Sequence, residues 1–234
     1  MNPLLSVIIP TFNRFPFLQQ AVASVLKQSI ADRIEIIIIN DASTDAGYKT
    51  ALDKIYGGEK RVVLVHLEKN MREVYGKKHA QGETRNVGLK IARGEWIAFL
   101  DDDDFFYDRF KLARQIEAMR KNPGHLLCST NAVTGHGLIG SGTYKTIYFR
   151  TPPGEFLSEG VFSLDKETVS KTNWIMNSSV VMHRSLYEKV GLQKIVQYED
   201  WEYWLRCLDH TCCCYLHEPM IGYDMGHGFG KQYE

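Results

Sequence analysis

The 234-residue sequence has no apolar run approaching the roughly 20 residues that a membrane-spanning helix needs, so no transmembrane segment is expected. It has no excess charge of either sign. The 28 Lys and Arg balance 28 Asp and Glu, which removes the basic footprint of non-specific nucleic-acid or anionic-membrane binding. Cysteine is sparse and odd in number: Cys128, Cys207 and the adjacent Cys212, Cys213 and Cys214. No pair has zinc-ribbon spacing, so neither a disulfide framework nor a structural zinc site is expected, only buried thiols in a reducing compartment. The start, MNPLLSVIIPTFNR, lacks a basic leader and a cleavage-type segment, which points to a cytoplasmic protein. Internal repeats, low-complexity segments and a clear linker are also missing, and nothing in the sequence speaks to oligomeric state.

What is present is an alternation. LLSVIIP, IEIIIIN, RVVLVHL and EWIAFL are short continuous apolar runs of the kind that form strands buried on both faces. Helical stretches separate them: FPFLQQAVASVLKQS, then STDAGYKTALDKIYG with Ser43 or Thr44 as a plausible N-cap, then TRNVGLKIARG with Gly94 as a C-cap. EKNMREVYGKKHAQGE reads as a polar loop, and RFKLARQIEAMRKNPG as a further helix. Strand and helix alternate four times, the signature of βαβ units and a Rossmann-like, mainly parallel sheet flanked by helices. After about residue 126 glycine, threonine and aromatics suggest hairpins and loops. NSSVVMHRSLYEKVG then reads as a strand and short helix, EDWEYWLRCLDH as an amphipathic helix, and CCCYLHEPMIGYDM as a strand or two. The organisation expected is one domain over 1–234. It has a ligand-binding half over about 1–130, a mixed half over about 131–225, and a tail at 226–234.

The run Asp101–Asp104 raises a physical problem. Four consecutive carboxylates repel one another, yet they end a strand that reads as buried. In an open α/β sheet, ligands bind outside the carboxyl ends of the strands, so this run belongs to that crevice. Carboxylates so close stay ionised only when cations or donors compensate. A divalent Mg²⁺ or Mn²⁺, which takes oxygen ligands and bridges to phosphates, would do so. The plainer alternative is a solvated acidic turn. Asp41 ends the second strand, in the same crevice or as an Asx-turn. Glu199, Glu202 and Arg206 fall at helical spacing and suit ion pairing. Asp200 projects elsewhere, beside Trp201, as a general base or a helix-terminus charge.

Four stretches, LSVIIPTFNR, EIIIINDASTD, ETRNVGLKIARGEWIAFLDDDD and YEDWEYWLRC, resemble in that order the motifs of glycosyltransferase family two, from Leu5 to about Leu208. The resemblance implies an A-type glycosyltransferase fold with an acceptor-side C-terminal half. It implies inverting transfer of a sugar from a nucleotide-sugar donor to a glycan or lipid-linked acceptor, with Mn²⁺ or Mg²⁺ as cofactor. The acceptor could bring a cytoplasmic enzyme to a membrane surface. Pro10, Thr11, Phe12 and Asn13 match the first nucleotide-contacting loop, with the aromatic against the base. Asp41 matches the reader of the base edge, and Arg85 the arginine near the nucleotide. Asp101, Asp102 and Asp103 cover the metal motif: Asp103 would hold the metal, and Asp101 the ribose or a metal-bound water. Glu199-Asp200 matches the acidic pair, Asp200 as the presumed base.

There are departures from the family pattern. Asn40-Asp41 stands where two aspartates are usual. The segment after Asp104 lacks the usual proline and is one residue short, which leaves open which aspartate takes which role. His227, or secondly His217, is the candidate for a third metal ligand. Tyr144, Tyr148, Phe149, Phe156 and Trp174 are aromatics that could stack on sugars or lie in the core. Two other readings share the sheet. A sugar-1-phosphate nucleotidyltransferase should carry a glycine-rich loop after the first strand, and PTFNRFPF has no glycine. A sugar-nucleotide-binding module would not need the acidic pair.

Overall fold

A computed structural model describes residues 3–76, 80–138, 142–147 and 151–226. In chain order its first half runs β1 (Leu5–Thr11), α1 (Phe15–Leu26), β2 (Ile34–Asn40), α2 (Tyr48–Tyr56), β3 (Val62–His66), α3 (Met71–Tyr75), α4 (Gln81–Ile91) and β4 (Trp96–Phe99). There follow β5 (Phe105–Phe106), α5 (Lys111–Lys121), β6 (His125–His136), β7 (Thr143–Ile147), β8 (Glu155–Ser158), β9 (Val161–Leu164), α6 (Lys166–Lys171), β10 (Val181–His183), α7 (Arg184–Val190), α8 (Glu199–Cys207) and β11 (Cys212–Asp224).

The sheet runs in the order β3-β2-β1-β4-β10-β6-β11-β9-β8. The first four strands are parallel; β10 is antiparallel to β4 and β6, and β6 is parallel to β11. The apolar runs divide between two cores by the period of two that strands impose. Val7, Ile9, Ile36 and Ile38 join one core; Ile8, Ile37 and Ile39 join the other. Both faces are covered, which is why these strands read as continuous rather than alternating hydrophobics. Register then fixes the site. Thr11 pairs with Asn40, and Ile8 with both Ile37 and Phe99. The carboxyl ends of β1, β2 and β4 therefore share one edge. Strand order reverses between β1 and β4, the switch point where such sheets bind ligands.

Three local expectations change. Neither Ser43 nor Thr44 caps α2, which starts after Gly47 at φ 77° without a side-chain cap. Asn13 takes the loop instead: its Oδ1 accepts the Thr44 and Asp45 amides at 2.8 and 3.0 Å, and the Ser43 hydroxyl accepts the Asn13 amide. Gly94 is not the cap of α4, which ends at Ile91 with Ala92 as its C-cap. Its role is close approach, because a Cβ there would lie 2.5 Å from the Ser6 amide nitrogen. The polar loop at 68–83 contains α3, whose first turn is capped by Asn70 accepting the Arg72 amide. CCCYLHEPMIGYD forms one long strand whose register against β6 shifts around Pro219. All five cysteines are free; four are buried and Cys212 is half-buried.

Candidate active site

The four aspartates at the end of β4 find different surroundings, although Asp102 and Asp103 share Arg14. The Asp101 carboxylate accepts from Arg85 Nη2 at 2.7 Å and from Asn177 Nδ2 at 3.1 Å. Asp102 Oδ2 accepts from the Thr11 hydroxyl at 2.7 Å, while Oδ1 lies 3.3 Å from Arg14. Asp103 pairs with Arg14 at 2.6 Å. Asp104 is fully engaged: Ser178 donates to one oxygen at 2.5 Å and the Asp224 amide to the other at 2.9 Å. Asp104, 1% exposed, thus ties the turn to β11 and to the 177–179 segment. Burial pushes the Asp102, Asp103 and Asp104 carboxyls above their ordinary range, and neighbouring aspartates push the same way. Arg14 opposes this at Asp102 and Asp103.

This excess of negative charge and the all-oxygen donor set fit a hard divalent cation. Among the described residues no group of three or more His, Cys, Asp or Glu is arranged to hold a metal. Mg²⁺ does not need one, since it is commonly held by one or two carboxylates plus substrate phosphates. His217 sits in β11 with its ring edge-on to Phe162 at 6.2 Å and its amide donating to the Gly160 carbonyl. That contact belongs to the β9 side of the strand rather than to the acidic turn. His227 lies outside the described residues, as do Tyr148 and Phe149.

The acidic pair opens α8. It follows Tyr198, a non-glycine residue in the left-handed region at φ 56°. The two carboxylates are treated differently. Glu199, 4% exposed, accepts from Arg85 Nη1 at 3.0 Å. It is therefore not a member of the outward ion-pairing face with Glu202 and Arg206, which pair with each other at 2.8 Å. Arg85 is buried and bridges Asp101 to Glu199. Burial alone would lower its pKa, but the two carboxylates more than offset this and raise it. The next residue, Asn86, holds the Gln193 backbone from both sides, donating to its carbonyl and accepting its amide at 2.9 Å. Consecutive residues of α4 thus fix both ends of the segment leading into α8. Asp200 is left with one oxygen bonded to the Trp201 amide at 2.8 Å. Burial, then the adjacent Glu199, push its pKa up to about 6, against the pull of Arg85. A carboxylate poised there suits proton abstraction near neutral pH.

At the neighbouring strand end, Asp41 follows β2. Its Oδ1 accepts the Met71 amide at 2.9 Å and its Oδ2 the Asn70 side chain at 3.2 Å. Burial raises its pKa, partly countered by the Met71 bond. Phe12 is 40% exposed at the end of β1. Pro10 is within β1, Thr11 is bonded to Asp102 and Tyr48, and Asn13 is occupied by the 43–45 loop. Among the aromatics, Tyr144 packs edge-on to Phe105, Trp174 lies against Tyr215, and Phe156 is exposed. Reading the sequence missed Arg14, Asn177, Ser178 and Asp224. Arg14 ends the quoted TFNR stretch, a signal that was there to be used; the other three had none.

An open α/β sheet with an acidic turn at its switch point and a second acidic pair tied to it is the A-type glycosyltransferase fold. The profile of Glycosyl transferase family 2 matches residues 6–185, and the chain belongs to that family. It is 30% identical over 208 residues to the putative teichuronic acid biosynthesis glycosyltransferase TuaG of Bacillus subtilis, spanning 88% of this chain and 73% of that one. An uncharacterized glycosyltransferase of Haemophilus influenzae is 37% identical over 120 residues, 51% of this chain and 44% of its own length. An uncharacterized glycosyltransferase of Rickettsia typhi is 26% identical over 225 residues, 94% of this chain and 63% of its own. The chain thus spans less than two-thirds of each of these last two relatives. Among solved structures, S. aureus TarS 1–349 in complex with UDP-GlcNAc superposes with a TM-score of 0.70 at 18% identity, covering 96% of this chain and 59% of TarS. The mannosyltransferase PcManGT from Pyrobaculum calidifontis, in complex with GDP-Man and Mn²⁺, gives 0.62 at 19% identity, covering 94% and 55%. No helix among the described residues is long and apolar enough to cross a membrane.

Proposed function

We propose that the chain is an inverting, metal-dependent glycosyltransferase that moves a sugar from a UDP- or dTDP-linked donor to a hydroxyl of a glycan or lipid-linked acceptor. The observation that carries the reading is the Arg85 bridge, which joins the acidic turn to the acidic pair of α8 across 114 residues of sequence. A charge linkage of that kind makes one site of two motifs.

In this reading Phe12 stacks on the base and Asp41 accepts a base N–H at the end of β2. Asp103, with Asp101 or Asp102, would hold Mn²⁺ or Mg²⁺, which supplies neutralisation of the charge that builds on the departing diphosphate. Arg14, already against Asp102 and Asp103, opposes the burial that favours their protonated forms. Arg85 and Glu199 are positioning residues: they lock the start of α8 so that Asp200 faces a fixed direction. Asp200 takes the acceptor hydroxyl proton as the oxygen attacks the anomeric carbon from the face opposite the leaving group. A single displacement of an α-linked donor gives a β-linked product.

TarS was solved with UDP-GlcNAc, which supports a uridine donor, and the name of TuaG supports a role in the biosynthesis of a teichuronic-acid-like product. The guanosine donor of PcManGT is the second reading. The test is release of nucleoside diphosphate from UDP-, dTDP- and GDP-sugars with and without Mn²⁺, for wild type and Asp200→Asn. Turnover of a nucleotide sugar that is Mn²⁺-dependent and lost in the variant is expected. Turnover indifferent to both would remove the mechanism.

A further inference from the structure

We infer that His66 is a positioning residue for the donor base: as the neutral ring protonated at Nε2, it orients the Asn40 side chain that holds Asp41 and Phe12 in place. This rests on the donor reading above, in which those two residues meet the base. The turn that carries Asp41 needs holding. Ala42 has φ 55°, a left-handed conformation that a residue other than glycine keeps only where its surroundings impose it. Asn13, on the loop after β1, is also left-handed. Asn40 brackets the strained residue with two bonds. Its carbonyl accepts the Ala42 amide at 2.9 Å, and its side-chain Oδ1 accepts the Ser43 amide at 3.0 Å. The Ser43 hydroxyl in turn accepts the amide of Asn13, the residue after Phe12, at 3.0 Å. One buried side-chain amide, that of Asn40, thus bears on both residues proposed to meet the base.

Elimination then fixes the histidine. A backbone N–H only donates, so the Asn40 atom facing Ser43 is the oxygen. Register sets Asn40 beside His66, and the amide nitrogen of Asn40 faces His66 Nδ1 at 3.0 Å. An amide NH₂ only donates as well, so Nδ1 is the bare, accepting nitrogen and the ring proton sits on Nε2. Nε2 lies 2.9 Å from Asp53 Oδ1, which accepts that proton's bond. Ser43, Asn40, His66 and Asp53 therefore form one chain in which every donor points toward α2. The charged groups that face the ring are Asp53 and its partner Lys49, 2.7 Å apart on α2; the neighbouring strand β2 meets it with the neutral Asn40. A proton on Nδ1 would set N–H against N–H. Asn40 would then accept from His66 only by turning over, which would put its NH₂ against the Ser43 amide and open the bracket around Ala42.

The test combines calorimetry with UDP and Mn²⁺, GDP serving as a second probe, and the nucleoside diphosphate release assay above. His66→Phe keeps a ring and removes the acceptor; His66→Asn offers a side-chain oxygen close to the place of Nδ1. His66→Phe should weaken UDP binding by about two- to tenfold, the range of one hydrogen bond. His66→Asn should stay within about twofold of wild type. In turnover, His66→Phe should raise the donor KM by a similar factor and leave kcat within about twofold, because the acidic turn and Asp200 are untouched. Long-range ¹⁵N–¹H spectra of the wild type should show the neutral His66 ring protonated at Nε2. A bond that only held the fold would lower the Tm of His66→Phe and leave UDP affinity and KM alone, which overturns the inference. So does a neutral ring protonated at Nδ1, or His66→Asn binding as weakly as His66→Phe, since the accepting nitrogen would then not matter. If wild type binds UDP and these results go against His66, this inference fails while the donor reading stands. If wild type binds neither UDP nor GDP, the donor reading fails and takes the role of His66 with it.

Discussion

Asp200→Asn should do two opposite things, and the structure sets the size of both. The asparagine keeps the Oδ1 that accepts the Trp201 amide, so the start of α8 keeps its bond. What it loses is a carboxylate whose pKa stands at about 6 instead of the ordinary 3.8, through burial and the adjacent Glu199. Between those two values the folded protein holds a proton that the unfolded chain has released. Stability therefore falls as pH rises through that window, and the full loss persists above it. At about 1.4 kcal/mol per tenfold, ionised Asp200 destabilises the fold by up to roughly 3 kcal/mol at pH 7.5. Removing it should raise the Tm by several degrees, at about 2–4 °C per kcal/mol for a chain of this size. Transfer should meanwhile fall by about 10²–10⁴-fold, the contribution of a general base, with donor affinity near normal. In the wild type, transfer should drop about tenfold for each pH unit below 6 as Asp200 takes up its proton. Scanning calorimetry and a coupled assay for nucleoside diphosphate release read both effects. A helix-terminal charge would behave oppositely: its loss would lower stability by about 0.3–1 kcal/mol and spare the rate. A variant that is less stable and transfers sugar at the wild-type rate would refute the reasoning and move attention to Glu199.

Arg85→Met should destabilise the protein by about 3–5 kcal/mol in urea unfolding, because it strands the buried Glu199 and the half-buried Asp101 without their shared partner; a change under about 1 kcal/mol would mean that the bridge is not needed. Chelation by EDTA should abolish transfer and Mn²⁺ restore it, and Asp103→Ala should weaken nucleotide-sugar binding as well as turnover; full activity in chelator would sink the metal reading. Free UDP and dTDP should bind more tightly than GDP in calorimetry, and the reverse order would assign the donor to guanosine. Lys111 is wholly buried, with its ammonium 4.4 Å from the Phe106 ring centre, and burial lowers its pKa to about 7. As pH falls from 10.5 toward 7, the unfolded chain gains a proton that the folded state refuses, so stability drops over that range. Lys111→Met should flatten this pH dependence and raise the Tm at pH 8; an unchanged profile would show that the amine finds water.

The apolar runs of β1, β2 and β4, and the acidic residues that follow β2 and β4, could be read directly. A parallel strand covered on both faces must be hydrophobic throughout, and the crevice at its carboxyl end is where polar chemistry has to begin. Glu199-Asp200 was legible for a related reason, as acids at the start of an amphipathic helix. Capping was less legible, because a cap is a competition. Ser43 and Thr44 have the right chemistry for α2, but Asn13, 31 residues before Thr44, claims that loop's amides, and Gly47 starts the helix. The roles within Asp101–Asp104 were not legible at all. Adjacent identical side chains carry no information about direction, and the turn gives them different partners, with only Asp102 and Asp103 sharing one, Arg14. Asp104 became a buried tie because Asp224 donates to it from 120 residues away, and Glu199 an anchor because Arg85 does so from 114. Composition and spacing place carboxylates at a strand end or a helix start; only packing across the sheet decides which of them keep a free oxygen for chemistry.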